Sequence, residues 1–117
     1  MKDLLKRLEG SSGVMGALVM TLDGVVVASL DGTPYIDETA AYISTIFLAI
    51  DEDSDTLNFT PVKRITMWAT EGRLIILPYE EFALVVVADQ DTDLTYALLE
   101  VAGTARGIAK RSRIRVD

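Results

Sequence analysis

Seven consecutive apolar residues, Phe82-Ala83-Leu84-Val85-Val86-Val87-Ala88, constrain this chain more than any other feature. The three adjacent valines favour extended structure. A strand that is apolar at both odd and even positions has no face to give to water, so it belongs in the middle of a sheet with a layer packed on each side. The remainder of the 117 residues must then supply flanking strands and covering helices. A chain of this length buries roughly two-thirds of its unfolded surface. No repeat, linker or low-complexity tract divides it, so residues 1–117 are expected to form one domain.

The flanking elements can be placed from local signals. Leu4, Leu5 and Leu8 recur at helical spacing near the start, and Gly10 and Gly13 around two serines end that short helix. Val14 to Leu22 and Val25 to Leu30 are β-rich runs joined by Asp23-Gly24, which predicts a hairpin with a type I′ turn. Asp37 to Ile50 reads as a helix with acids in its first turn, ended by Asp51-Glu52-Asp53-Ser54-Asp55. Val62 to Thr70, Arg73 to Pro78 and Phe82 to Ala88 follow as extended runs, with turns at Glu71-Gly72 and Glu80-Glu81. Leu94, Leu98, Val101, Ala102, Ala105 and Ile108 line one stripe of a last helix from about Asp93 to Lys110, in which Gly103 and Gly107 are expected to allow close approach to the sheet. The order is α-β-β-α-β-β-β-α, an α+β domain with an antiparallel meander between helix layers.

Charge excludes more than it selects. Eleven Lys and Arg stand against 18 Asp and Glu, a net charge of −7, which argues against phosphate-backbone binding and so against nucleic acid as the partner. Between Leu8 and Val62 there are nine acids and no base, whereas Arg106, Lys110, Arg111, Arg113 and Arg115 make the end basic. With neither histidine nor cysteine, the usual nucleophilic triads and imidazole or thiolate metal sites are unavailable. No convergent carboxylate pair replaces them, and the chain is expected to be no enzyme and to hold neither metal nor cofactor. Charges at Lys2, Asp3, Lys6, Arg7 and Glu9 interrupt any signal-peptide core. No apolar run nears the ~20 residues of a spanning helix, and a cytoplasmic location without a transmembrane segment is expected.

Two features carry more apolar surface than a lone domain needs. In the second helix Ala40, Ile43, Phe47 and Ile50 make one stripe, and Tyr42, Ile46 and Ala49 a neighbouring one. The second stripe is either a broad core face or a subunit contact. Ile65, Met67 and the only tryptophan, Trp68, lie in a strand expected at a sheet edge, where such a composition invites pairing with another chain.

The order of elements and several segments resemble the Roadblock/dynein light chain family, whose fold is profilin-like or longin-like. The likeness is carried by Val14-Met15-Gly16-Ala17-Leu18-Val19 through Asp23-Gly24-Val25-Val26-Val27-Ala28-Ser29, by Gly72-Arg73-Leu74-Ile75-Ile76-Leu77-Pro78, by Ala83-Leu84-Val85-Val86-Val87-Ala88 and by the last helix, spanning Leu4 to Lys110. The resemblance implies a five-stranded antiparallel sheet of order 2-1-5-4-3, with the first and last helices on one face and the second on the other. It implies a homodimer formed by pairing third strands and packing second helices antiparallel, here through Tyr42, Ile46, Ala49, Ile65, Met67 and Trp68. It further implies a platform that regulates or scaffolds a small Ras-like GTPase, which in this chain would meet Glu38, Thr45, Asp51, Glu52 and Asp53. The absence of arginine from Leu8 to Val62 excludes an arginine finger from the second helix. A small-ligand sensing module and a structural adaptor in a larger complex are the alternative functions, although an apolar central sheet does not suit a polar-lined pocket.

Other motifs fall away on spacing. Asp51-x-Asp53-x-Asp55 and Asp89-x-Asp91-x-Asp93 open like calcium loops, but position six is Thr56 or Leu94 rather than glycine. Asn58-Phe59-Thr60 has no meaning as a glycosylation acceptor in a cytoplasmic chain. Ser11 and Ser12 precede no helix that could cradle phosphate. The basic tail is read as complementing a helix C-terminus, with contact to anionic lipid or an acidic partner as the other possibility.

Overall fold

The computed structural model describes residues 2–9, 13–57, 62–79 and 81–90 together with positions 99, 103 and 106, with backbone alone at 2–4, 7 and 51–57. Its elements are α1 (Lys2–Glu9), β1 (Val14–Thr21), β2 (Val26–Ser29), α2 (Ile36–Leu57), β3 (Ile65–Ala69), β4 (Gly72–Pro78) and β5 (Phe82–Ala88). The five strands form one sheet in the order β2-β1-β5-β4-β3, and every neighbouring pair is antiparallel. The expected last helix lies largely outside the described residues, although Leu99, Gly103 and Arg106 are helical.

The sheet separates two cores, and the alternation of each strand assigns its residues to them. On one face Leu5 and Leu8 of α1 close over Ala17, Val19, Ile75, Leu84 and Val86. On the other, Ala40 and Ile43 of α2 cover Leu18, Met20, Ile76, Ala83 and Val85, with Phe47, Ile65 and Met67 packed around them. The cross-strand row Leu18, Val85, Ile76 and Ile65 runs through consecutive ladder partners. Val85 and Val86 are fully buried on opposite faces, the two-sided burial that the apolar run requires.

Four local readings need correction. The β1–β2 turn is not type I′. Gly24 has a positive φ of 101° but Asp23 does not, and the Gly24 amide donates to the Thr21 carbonyl at 3.1 Å. These mark a three-residue loop, a type I turn closed by a left-handed glycine. The hydroxyl of Thr21 also donates to the Asp23 carboxylate.

The acidic run does not end α2, which continues through it to Leu57. Each added residue gains an intrahelical hydrogen bond once the helix is under way, and no glycine or proline interrupts it before Pro61. Acids at that end oppose the helix dipole, and the last turn has no base to offset them.

Gly72 is a strand residue rather than a turn residue, and Thr70-Glu71 makes the connection between the Ala69 and Gly72 partners. The reason is proximity: a Cβ at Gly72 would stand 2.7 Å from the Ala88 carbonyl oxygen. Gly103, by contrast, is exposed with no described atom within 4 Å of a Cβ, so it does not serve close approach to the sheet.

The loop into α2 is tied to β1 by Thr33, whose Oγ1 accepts from the Ala17 amide at 3.1 Å and donates to its carbonyl at 3.3 Å. Gly16 permits this, since a Cβ there would meet Thr33 Oγ1 at 2.8 Å. Opposite them, Tyr79 and Phe82 stack at 5.1 Å across the β4–β5 turn. Burial pushes the Tyr79 phenol above the usual tyrosine range, and the charge of Arg106 pulls it partly back.

Gly72→Ala should destabilise the fold by about 1–3 kcal/mol, because the clash is with backbone that cannot swing away. Gly103→Ala should leave stability unchanged or raise it by up to about 1 kcal/mol through helix propensity. Urea unfolding followed by circular dichroism measures both.

Candidate interaction surfaces

The α2 helix has three distinguishable sides. Ile36, Ala40, Ile43 and Phe47 pack on the sheet. Ala40 and Ser44 also abut the β1–β2 turn, where a Cβ on Gly24 would meet Ser44 Oγ at 3.1 Å. On the other flank of the buried stripe lie half-buried Ile46 and exposed Tyr42 and Ala49. Away from the sheet stand Glu38, Ala41, Thr45 and Leu48, all exposed. The expected core and second stripes are therefore distinct in the fold.

Of the residues expected at a subunit contact, Ile65 and Met67 are half-buried on the α2 side of β3. Trp68 alternates to the opposite face and is 66% exposed. Its indole is held from beneath: the guanidinium of Arg73, its ladder partner, lies 4.5 Å from the ring centroid. Arg73 is itself only 4% exposed. It donates through Nε and Nη2 to the Asp89 carbonyl at 3.3 and 3.1 Å, and through Nη2 to the Gln90 carbonyl at 2.9 Å. One buried cation thus fixes the turn after β5 and supports an exposed tryptophan at the sheet edge. Trp68 stands on the face of the sheet opposite α2, apart from Ile65 and Met67.

The two edges of the sheet differ. Across β1 and β2 the register shifts between Val19 and Met20, where Val27 is skipped on the β2 side. Such a bulge, in a strand of four residues, discourages further pairing. The β3 ladder runs from Ile65↔Ile76 to Ala69↔Gly72 without interruption, so the outer side of β3 is a regular edge.

Among the expected partner-facing residues, Glu38 and Thr45 are exposed, while Asp51, Glu52 and Asp53 belong to the last turns of α2, where only backbone is described. Asp51-x-Asp53-x-Asp55 is helical and cannot wrap a cation as a calcium loop does. No cluster of three potential ligands that could hold a metal occurs among the described residues, and no described helix is long and apolar enough to cross a membrane. The continuation of Asp89-x-Asp91-x-Asp93, residues Ser11 and Ser12, Asn58 to Thr60, Gly107 and the basic tail lie outside the described residues.

Two large exposed apolar residues in and next to α2 escaped the sequence reading. Leu48, 61% exposed, follows Phe47 in a run so apolar that no periodic pattern isolates it. Tyr35, 77% exposed, immediately precedes α2 with a positive φ of 52°, and its carbonyl accepts from the Thr39 amide at 2.9 Å. Pro34 before it signals only that a helix starts nearby.

An open antiparallel sheet in this strand order, with α1 and α2 on opposite faces, is the profilin-like arrangement. Profilin IA of Acanthamoeba castellanii superposes with a TM-score of 0.63 at 17% identity, covering 95% of this chain and 97% of that one. Within that class the Roadblock/LC7 domain model matches residues 1–89, and the chain belongs to that family. A solved Roadblock/LC7 domain from Streptomyces avermitilis reaches a TM-score of 0.86 at 16% identity, covering 97% of this chain and 98% of that one. MglB of Myxococcus xanthus reaches 0.86 at 15% identity, covering 95% and 93%. No curated protein matches the sequence.

Arg73→Leu should cost about 2–3 kcal/mol, because the carbonyls of Asp89 and Gln90 lose charged donors in a buried setting. It should also alter the folded-state emission of Trp68, the only tryptophan. Chemical denaturation followed by tryptophan fluorescence reads both effects.

Proposed function

We propose that this chain acts as a homodimer that binds a small Ras-like GTPase and regulates or scaffolds it. The observation that carries the self-association is the regular, uninterrupted edge of β3, and a half-exposed apolar flank on α2 supports it. Pairing two β3 strands antiparallel satisfies their free backbone groups. The same operation brings Ile46, Ala49, Ile65 and Met67 of two copies near one another on the α2 side, with Tyr42 at the rim of that contact and Trp68 lying along the joint on the other face. Membership of the Roadblock/LC7 family and the likeness to MglB support the GTPase reading, and a solved MglB described as having a tetrameric arrangement supports self-association.

The partner's place is the side of α2 turned away from the sheet, where Glu38 and Thr45 stand exposed, together with the acidic residues Asp51, Glu52 and Asp53 near the end of the same helix. Acids at the rim of such a contact tune association rate more than final affinity, so binding should weaken as ionic strength rises. The chain acts by binding, in the cytoplasm, without cofactor or chemistry of its own. With no arginine in α2 and Arg73 committed to backbone carbonyls, regulation works by ordering the GTPase's own catalytic loops rather than by inserting a cation.

Sedimentation at micromolar concentration tests the assembly: wild type should run at about twice the monomer mass. Ile46→Asp should run as a monomer, since an unpaired charge in an apolar contact is costly. A wild-type monomer would sink the dimer. Single-turnover GTP hydrolysis tests the mode of regulation, and any acceleration should survive Arg64→Ala and Arg106→Ala. Loss of acceleration with binding retained in either variant would reveal an arginine finger and refute the positioning mechanism.

A further inference from the structure

The exposed leucine of α2 has no use in the assembly just described. At about 100° per residue, Leu48 lies roughly 100–120° around the helix from Tyr42 and Ala49. A single neighbouring helix pairs with one stripe at a time, so a second copy packed against Ile46 and Ala49 leaves Leu48 uncovered. The sheet does not cover it either, because Ile36, Ala40, Ile43 and Phe47 take that side. Leu48 instead continues the spacing of Ala41 and Thr45, four and then three residues apart, and all three are exposed.

The polar groups on that outward side share one chemical character. The Thr45 hydroxyl gives its proton to the Tyr42 carbonyl at 2.6 Å, which leaves its oxygen facing outward as an acceptor. Glu38, three residues before Ala41, is a carboxylate and accepts only. No base occurs anywhere in α2. A partner on this face must therefore bring donors and positive charge, together with an apolar recess for Leu48. Along the helix axis Leu48 is about 15 Å from Glu38 and about 4.5 Å from Thr45, which sets the spacing of those features on the partner.

We propose that Leu48 is the apolar anchor of the GTPase-binding face, seated in a recess of the GTPase whose neighbouring surface carries Lys or Arg toward Glu38 and a donor toward Thr45. This rests on the GTPase reading above and adds to it the chemistry of the docking surface. A leucine flanked by the small side chains of Ala41 and Thr45 stands clear of its own helix, so most of its apolar surface is available to be removed from water on docking.

The test uses the full chain and the small Ras-like GTPases of the source organism, each loaded with GDP or a non-hydrolysable GTP analogue. Leu48→Ala should weaken GTPase binding at least about tenfold, with unchanged melting temperature and unchanged sedimentation mass. Glu38→Gln should weaken binding less and flatten its salt dependence, because a rim charge acts mainly through long-range attraction. Wild-type affinity in Leu48→Ala overturns the proposal and leaves the GTPase reading intact. A fall to monomer mass in Leu48→Ala also overturns it, since Leu48 would then belong to the contact between copies. Failure of the wild-type chain to bind any of the GTPases overturns the GTPase reading and this proposal together.

Discussion

The architecture hangs on burying both faces of the two central strands. In β5 and β1, Val85 and Leu18 look toward α2 while Val86 and Ala17 look toward α1, and none of the four keeps meaningful contact with water. At roughly 25 cal/mol per Å² of apolar area removed from water, this two-sided burial outweighs any single polar contact in the chain. It also dictates that both faces carry helices. The helix on the α2 side is held at its entry by Thr33 on the Ala17 backbone and at Ser44 by contact with the β1–β2 turn. Once one stripe of α2 is committed to the sheet, its remaining sides stay exposed and differ in chemistry, apolar at Tyr42 and Ala49 and mixed at Glu38, Thr45 and Leu48.

Much of this was legible in the chain itself, for identifiable reasons. Strand β5 was located residue for residue because nothing but a doubly covered strand tolerates that run. The strand order followed from the family resemblance, and the structure has the same order. Local chemistry was less readable. Asp23-Gly24 suits several turns, and what selects among them is the twist and register of β1 against β2, which no dipeptide encodes. The acids after Ile50 look like a terminator because they are poor helix formers one by one, yet a long helix already nucleated by packing runs on through them.

The interaction surfaces were harder still, because exposure depends on which side of a helix the sheet claims. Tyr42, Ile46 and Ala49 could be separated from the core stripe by periodicity. Leu48 could not, since Ile46, Phe47, Leu48, Ala49 and Ile50 are all apolar and only the placement of Phe47 against the sheet turns its neighbour outward. Trp68 was expected at the edge and stands there, but its support by Arg73 joins residues on adjacent strands with a carbonyl pair beyond β5. That arrangement has no signature along the chain.

The unlike edges of the sheet bear on how far assembly can go. A sheet with two regular edges can add copies without limit and tends toward fibres, because each addition exposes another edge like the one just consumed. Here the β2 side is bulged and short, so extension is open only at β3. Two copies joined there about a two-fold axis would place the bulged strand at both outer margins. Growth by strand addition then terminates by geometry after one step, without charged gatekeepers in β3 itself, whose residues Ile65-Thr66-Met67-Trp68-Ala69 include no charge.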